Sequence, residues 1–164
     1  MIRDIGLVVL LIFTVAISFL TTTVQSIKDD NVKRVFTSVE LAGFIGEDDK
    51  PIYLSILGEV YDVTSGKDFY GKGKSYGFFS GIDGTVVFFT GKFNEEGLNE
   101  QKNILEFTAP EIKAMTEWSK FYEEHEEYTY VGTLNGDFYD SEGKPTQYLD
   151  DILAKVATDE KSEL

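Results

Sequence analysis

The stretch from Asp68 to Gly84 holds the residues best suited to binding chemistry, because tyrosines and phenylalanines alternate there with glycines. Tyr70 and Tyr76 offer phenol oxygens that can hydrogen-bond to a ligand or, when ionised, meet it as phenolates. The glycines let the backbone bend sharply and approach another group closely. Such a segment predicts either a flat aromatic pocket or a surface loop capped by buried rings. These residues alone leave both interpretations open.

His125 is the only histidine, and it follows Glu123 and Glu124 at the predicted end of a long helix, where the helix dipole favours a cation. We interpret it as an ordinary surface histidine. A single histidine cannot supply bis-histidine haem ligation, a multi-histidine metal site or most catalytic triads. The chain also has no cysteine, which excludes disulfides, thiolate metal sites and iron–sulfur clusters.

The lysine-containing run Gly71–Ser75 invites a phosphate-binding interpretation, but the P-loop pattern requires glycine where this chain has Asp68. The formal net charge of −14 would repel phosphate backbones, so nucleic acid is excluded as a partner. The paired acidic residues fit solvated surfaces, and none stands out as a catalytic pair. These residues identify no catalytic group, and no enzymatic activity is predicted.

No side chain from Ile5 to Ile27 is charged, and this stretch is long enough to span a bilayer. Residues 1–26 are predicted to be either a cleaved signal peptide or a retained membrane anchor, followed by a polar linker over residues 27–34. Both alternatives direct the chain into the secretory pathway, and secretion is the expected location. The terminal run Lys161–Leu164 resembles an endoplasmic-reticulum retrieval signal, so luminal retention stays an alternative.

Local signals predict the elements of the folded part. Capping boxes at Thr37–Glu40 and Thr108–Glu111 predict a short helix that ends at Gly46 and a longer helix that runs to about Glu124. Two β-prone runs flank Leu57 and Gly58 and predict a hairpin, and Tyr128–Leu134 predicts a closing strand. Apolar residues at helical spacing indicate a terminal helix within an acidic extension over residues 135–164.

Several of these segments, taken in order, resemble the membrane-associated progesterone receptor family. The resemblance covers about Val35 to Leu134 and is carried by Phe36–Leu41, Gly58–Thr64, Phe69–Gly71, Tyr76–Asp83, Trp118–Tyr122 and Tyr130–Gly132. It implies an α+β domain over residues 35–134, with the cytochrome b5-like haem/steroid-binding fold. It also implies a non-covalently bound b-type haem.

The resemblance assigns roles to four residues. Tyr76 is implied as the ligand of ferric iron, with Tyr70 as a nearby hydrogen-bonding residue. Tyr128 is implied to close the pocket, and Asp83 is included among the cofactor-binding residues. Relatives often have lysine where this chain has Glu127, so a contact to Tyr76 or to a haem propionate is expected to be lost. Phenolate ligation favours ferric iron and a low reduction potential.

The function implied is regulatory or extracellular signalling by a haem-binding protein, including a role in neural differentiation. Two alternatives stay open. The first is an accessory redox partner of membrane cytochromes P450, and the second is a steroid-binding or protein-interaction domain without functional haem. Expected partners are accordingly haem, a steroid or a membrane protein.

Overall fold

The computed structural model describes residues 34–98, 100 and 103–162, and the predicted apolar N-terminal segment lies outside these residues. Within the described part of the chain, no helix is both long enough and apolar enough to cross a bilayer. Strands and helices are mixed along the described part of the chain, which confirms the predicted α+β class.

One four-stranded sheet forms the centre of the fold. Its strands are β1 (Arg34–Phe36), β2 (Tyr53–Ile56), β3 (Glu59–Asp62) and β4 (Thr129–Leu134), in the order β1-β4-β3-β2. β1 runs parallel to β4, and the other pairs are antiparallel. The predicted hairpin between β2 and β3 is confirmed. Its two turn residues, Leu57 and Gly58, have φ of 50° and 74°, which is the backbone pattern of the tight turns that suit twisted strands.

Six helices connect and flank these strands in the described part of the chain. They are α1 (Ser38–Leu41), α2 (Lys67–Tyr70), α3 (Thr85–Thr90), α4 (Glu95–Leu98), α5 (Ala109–Glu124) and α6 (Gln147–Ser162). Single 3₁₀ turns occur at Thr64–Gly66, Gly77–Phe79 and Ile104–Glu106.

Both predicted capping boxes are confirmed, at Thr37 with Glu40 and at Thr108 with Glu111. The predicted end of the first helix at Gly46 is wrong, because α1 ends at Leu41. After Leu41 the backbone bonds tighten to a three-residue spacing, with Phe44 N–H donating to the Leu41 carbonyl. This tightening ends the α-helix before Gly46 is reached.

The main core lies between the β2–β3 hairpin and the two long helices. Buried hairpin side chains, such as Leu54 and Ile56, share this core with Met115 of α5 and Ile152 of α6. A smaller cluster of Phe36, Leu41, Val60 and Leu134 fills the space around β1 and β4. The main core extends through a series of aromatic rings towards α2 and α3, where a cavity opens.

Candidate functional site

An aromatic cavity of about 430 Å³ lies between α2, the Gly77–Phe79 turn, α3, α5 and the segment before β4. Its volume falls within the range of small-molecule sites. Every lining side chain except His125 is a phenylalanine, tyrosine or tryptophan. A flat apolar ligand with a few polar atoms would suit such walls.

The inner wall is built from rings that also belong to the core. Phe79 is 1% exposed and stacks on Phe88, with ring centroids 5.1 Å apart and planes 12° apart. Phe88 contacts Trp118 of α5 at a centroid distance of 5.4 Å. These packed rings tie the 3₁₀ turn, α3 and α5 together and give the inner wall a rigid shape.

Helix α5 contributes a continuous aromatic face to the cavity. Phe121 and Tyr122 follow Trp118 by three and four residues, which places them on the same side of the helix as Trp118. Tyr122 is buried, whereas Trp118 and Phe121 are about two-fifths exposed and form part of the rim. The rim is therefore apolar and open to solvent on the side of α5.

The three tyrosines predicted for the site all line this cavity. The ring centroids of Tyr70 and Tyr76 lie 6.2 Å apart, and those of Tyr70 and Tyr128 lie 6.1 Å apart. Tyr70 is 6% exposed and Tyr76 is 41% exposed, so one phenol is buried and the other stands at the mouth. Of these two tyrosines, Tyr76 is the more accessible to an incoming ligand.

The buried phenols form a hydrogen-bonded pair, because the hydroxyl oxygens of Tyr70 and Tyr122 lie 3.0 Å apart. Burial raises the pKa of Tyr70 far above its usual range, and it raises the pKa of Tyr122 to about 12. Both groups are neutral at physiological pH and keep their protons. One phenol donates its O–H to the other, so the pair has one O–H left to donate towards an anionic oxygen in the cavity.

Asp83, the fourth predicted site residue, lies outside the lining of the cavity. Its carboxylate accepts hydrogen bonds from the backbone N–H of Thr85, at 3.0 Å, and from the Thr85 hydroxyl. The Thr85 oxygen in turn accepts the Leu57 N–H at 2.7 Å. This chain of bonds fixes the start of α3 against the hairpin, and burial raises the pKa of Asp83 to about 6.

His125 lines the cavity and is half-buried, so its interpretation as an ordinary surface histidine is wrong. Its ring stacks on Tyr128 with centroids 3.7 Å apart and planes 11° apart. His125 directly follows Glu124, the last residue of α5. The four-residue spacing from Phe121 was the available signal, since it continues the aromatic face of the helix.

Glu127 does not reach the cavity. Its side chain is exposed, and its backbone carbonyl accepts the Ser65 hydroxyl at 3.0 Å.

A larger and more open groove of about 580 Å³ runs between α5 and α6. Its walls carry carboxylates, and one of these, Glu59, already accepts hydrogen bonds from Tyr61 and Ser119. The aromatic cavity is the stronger candidate site, because an apolar lining with a few convergent polar groups is typical of small-molecule sites.

The side chains of the aromatic cavity fit a haem group. A porphyrin is flat and largely apolar, which suits stacked rings, and a phenol oxygen is an established axial ligand for haem iron. Tyr76 carries such an oxygen and is a partly exposed residue of the cavity lining. Fold and cavity together define a ligand-binding domain of the cytochrome b5-like type.

A family model described as "Cytochrome b5-like Heme/Steroid binding domain" matches residues 37–135, which is more than half of the chain. The chain belongs to this family. A solved structure of a hypothetical Arabidopsis thaliana protein, described as having a cytochrome b5 like fold, superimposes with a TM-score of 0.53 and 34% identity. The match covers 65% of this chain and 94% of that protein.

Two curated relatives are similar over about three quarters of this chain. A neuferricin homolog from Drosophila pseudoobscura pseudoobscura is 43% identical over 77% of this chain and 43% of its own length. Membrane-associated progesterone-binding protein 4 from Arabidopsis thaliana is 42% identical over 76% of this chain and 50% of its own length. The chain thus spans half or less of the length of these two relatives.

Proposed function

We propose that this protein binds ferric haem non-covalently in the aromatic cavity, with the Tyr76 oxygen as the axial ligand. The observation that carries the proposal is the position of Tyr76, which is 41% exposed at the mouth of a cavity walled by aromatic rings. Bound haem would supply a Lewis-acidic, redox-active iron. Because phenolate stabilises the ferric state, the low reduction potential favours sensing or delivering haem over rapid electron transfer.

The remaining predicted residues would position the ligand and its iron-binding oxygen. Tyr70, held by its hydrogen bond to Tyr122, would donate to the Tyr76 oxygen and lower its basicity. Tyr128 would close the side wall against the porphyrin. Asp83 would affect haem binding indirectly, because its carboxylate fixes the start of α3, the helix that carries Phe88.

Titration of the full-length chain with ferric haem tests this proposal. We expect a saturable Soret band at one haem per chain, together with increased hydrogen-exchange protection of residues 69–83 on binding. Absence of a saturable band would reject haem binding. A band that appears without any change in the protection of residues 69–83 would place the haem outside the aromatic cavity.

A steroid in the same cavity is the second candidate function. Its support is the nearly complete aromatic lining, together with a relative named as a progesterone-binding protein. Competition between progesterone and ferric haem separates the two functions. Displacement of haem by micromolar progesterone would favour steroid binding. A separate measurement tests the redox alternative: reduction of bound haem by a physiological donor would favour a redox partner of cytochromes P450.

We place the protein in the secretory pathway, with residues 1–26 as a signal or anchor, residues 27–34 as a linker and residues 35–134 as the haem-binding domain. The name of one relative, membrane-associated progesterone-binding protein 4, supports a membrane-associated location. We also propose a regulatory, extracellular role in neural differentiation, which the family resemblance implies. An internally tagged chain tests the location. Accumulation in the medium supports secretion, whereas a cytosolic pool would contradict the proposed pathway.

A further inference from the structure

In the described part of the chain, the aromatic cavity has an almost uncharged lining. Among the described residues, neither lysine nor arginine lines it, and His125 is the one lining residue that can carry a positive charge. The turn around His125 is acidic, since the side chains of Glu123, Glu124, Glu126 and Glu127 are all exposed there. A carboxylate on a ligand would be repelled at this end of the cleft unless a donor met it directly.

The hydrogen bond at Nδ1 assigns the tautomer of His125. Nδ1 accepts the backbone N–H of Glu127 at 3.2 Å, so its lone pair is engaged. In the neutral imidazole the proton must then be on Nε2, which makes Nε2 a hydrogen-bond donor. For the same reason Nε2 has no free lone pair for iron unless the bond to Glu127 breaks. The assigned tautomer therefore favours recognition of an acceptor over ligation of a metal.

The ring of His125 is also held in a defined orientation. It stacks on Tyr128 and meets Phe121 edge-on at a centroid distance of 5.3 Å. A donor that is oriented before the ligand arrives loses less conformational entropy when it forms its hydrogen bond. His125 thus has both the chemistry and the rigidity of a residue that determines ligand specificity.

We propose that His125 donates its Nε2–H to a carboxylate of the bound ligand, so that the cavity selects a flat aromatic acid over a neutral molecule of the same shape. This inference rests on the proposed function, in which the acid group is a haem propionate. His125 is then a specificity residue at the edge of the cleft, whereas Tyr76 binds the iron.

Two porphyrin probes and three variants of the full-length chain test this role. The probes are ferric protoporphyrin IX and its dimethyl ester, which lacks the two carboxylates. His125→Phe keeps a ring against Tyr128 but removes the Nε2–H donor. His125→Asn keeps an acceptor for the Glu127 N–H but places no donor at the Nε2 position. His125→Gln restores an N–H near Nε2.

For both donor-deficient variants, we expect affinity for ferric protoporphyrin IX to fall about tenfold, the size of one hydrogen bond to a charged group. Affinity for the dimethyl ester and the position of the Soret band should stay unchanged. His125→Gln should recover most of the loss. This pattern would establish recognition of the carboxylate, because a packing defect would weaken both probes equally.

The results that would overturn the role of His125 differ from the result that would reject haem binding. Equal losses for both probes, or no loss for either, would overturn the role of His125 and leave haem binding intact. Loss of the Soret band in His125→Phe and His125→Asn would make His125 an iron ligand, which contradicts this inference and the assignment of Tyr76 together. Failure of the unmodified chain to bind either probe would reject haem binding itself.

Discussion

The hydroxyl oxygens of Tyr70 and Tyr122 lie 3.0 Å apart in the buried wall of the aromatic cavity, and the bond between them joins α2 to α5. Both phenols stay protonated at neutral pH because burial disfavours the phenolate. The pair therefore stabilises the fold and also presents a neutral donor beside Tyr76. Its two contributions can be measured separately.

Replacing Tyr122 with Phe should lower the free energy of unfolding by about 1–2 kcal/mol, because the buried Tyr70 hydroxyl loses its partner. Haem affinity should fall about tenfold, the lower end of the range for residues that orient a metal ligand. Urea unfolding and haem titration measure the two effects. Tyr53→Phe, which lies outside the cavity, is the matched control. Additive effects of Tyr70→Phe and Tyr122→Phe in the double variant would show that the two hydroxyls do not interact.

Tyr76→Phe should leave folding intact and weaken ferric haem by more than about a hundredfold. The ring and its packing are kept, but the oxygen proposed to bind iron is removed, and the effect should exceed that of residues that only orient a ligand. Circular dichroism checks the fold, and Soret titration checks the affinity. An unchanged Soret band and affinity in this variant would rule out Tyr76 as the ligand.

Gly84→Ala should displace the inner wall of the cavity. A Cβ atom at Gly84 would lie 2.5 Å from Cδ1 of Phe79, and the stacked Phe79 ring has little room to yield. We expect a loss of about 1–3 kcal/mol in stability, as for other overpacked cores, and weaker haem binding. Gly136→Ala is the control, because no described atom lies within 4 Å of its added Cβ. Equal behaviour of the two variants would contradict the proposed rigidity of the wall.

Asp83 should make stability fall as the pH rises. Its pKa is raised from 3.8 to about 6, so the folded state holds the proton more tightly than the unfolded state. The stability contributed by protonated Asp83 is fully present below about pH 4 and is lost as the pH rises through 6. It amounts to up to about 3 kcal/mol of the free energy of unfolding. Relative to Asp83→Asn, the unmodified chain should therefore lose stability between pH 4 and pH 7. A parallel pH dependence of the two proteins would refute the raised pKa.

Asp140→Asn is a control variant, because the contribution of Asp140 to stability should change with pH in the direction opposite to that of Asp83. Backbone N–H groups of Lys144 and Glu142 hold the pKa of Asp140 below its usual value. Its contribution is present above the unfolded pKa and is lost as the pH falls through the lower folded value. The unmodified chain should therefore gain stability relative to Asp140→Asn as the pH rises through the acidic range.

The sequence predicted the hairpin and both capping boxes because these signals are local. Leu57 and Gly58 set the turn, and in each capping box Thr and Glu meet across three residues. The end of α1 could not be predicted in this way. The preference for a left-handed glycine pointed to Gly46, and that residue does have a positive φ, but tighter backbone bonding had already ended the helix at Leu41.

The candidate site was predictable where the family resemblance identified residue types, as for Tyr70, Tyr76 and Tyr128. His125 was missed because the acidic residues beside it indicated a solvated surface, although its four-residue spacing from Phe121 continues the aromatic face of α5 into the cavity. Phe93 likewise contacts Trp118 from a distant segment, with centroids 6.3 Å apart, and no periodicity connects these two positions.

The C-terminal helix α6 extends the cooperative unit of the protein beyond the family match, which ends at residue 135. Leu149 and Ile152 of α6 are buried in the same core as Ile112 and Met115 of α5. The amine of Lys155 also donates to the Leu105 carbonyl at 2.7 Å. Fraying or proteolysis of α6 would expose the inner face of α5, whose outer rings wall the cleft. We therefore expect haem affinity to fall when α6 is lost, although no residue of α6 lines the aromatic cavity.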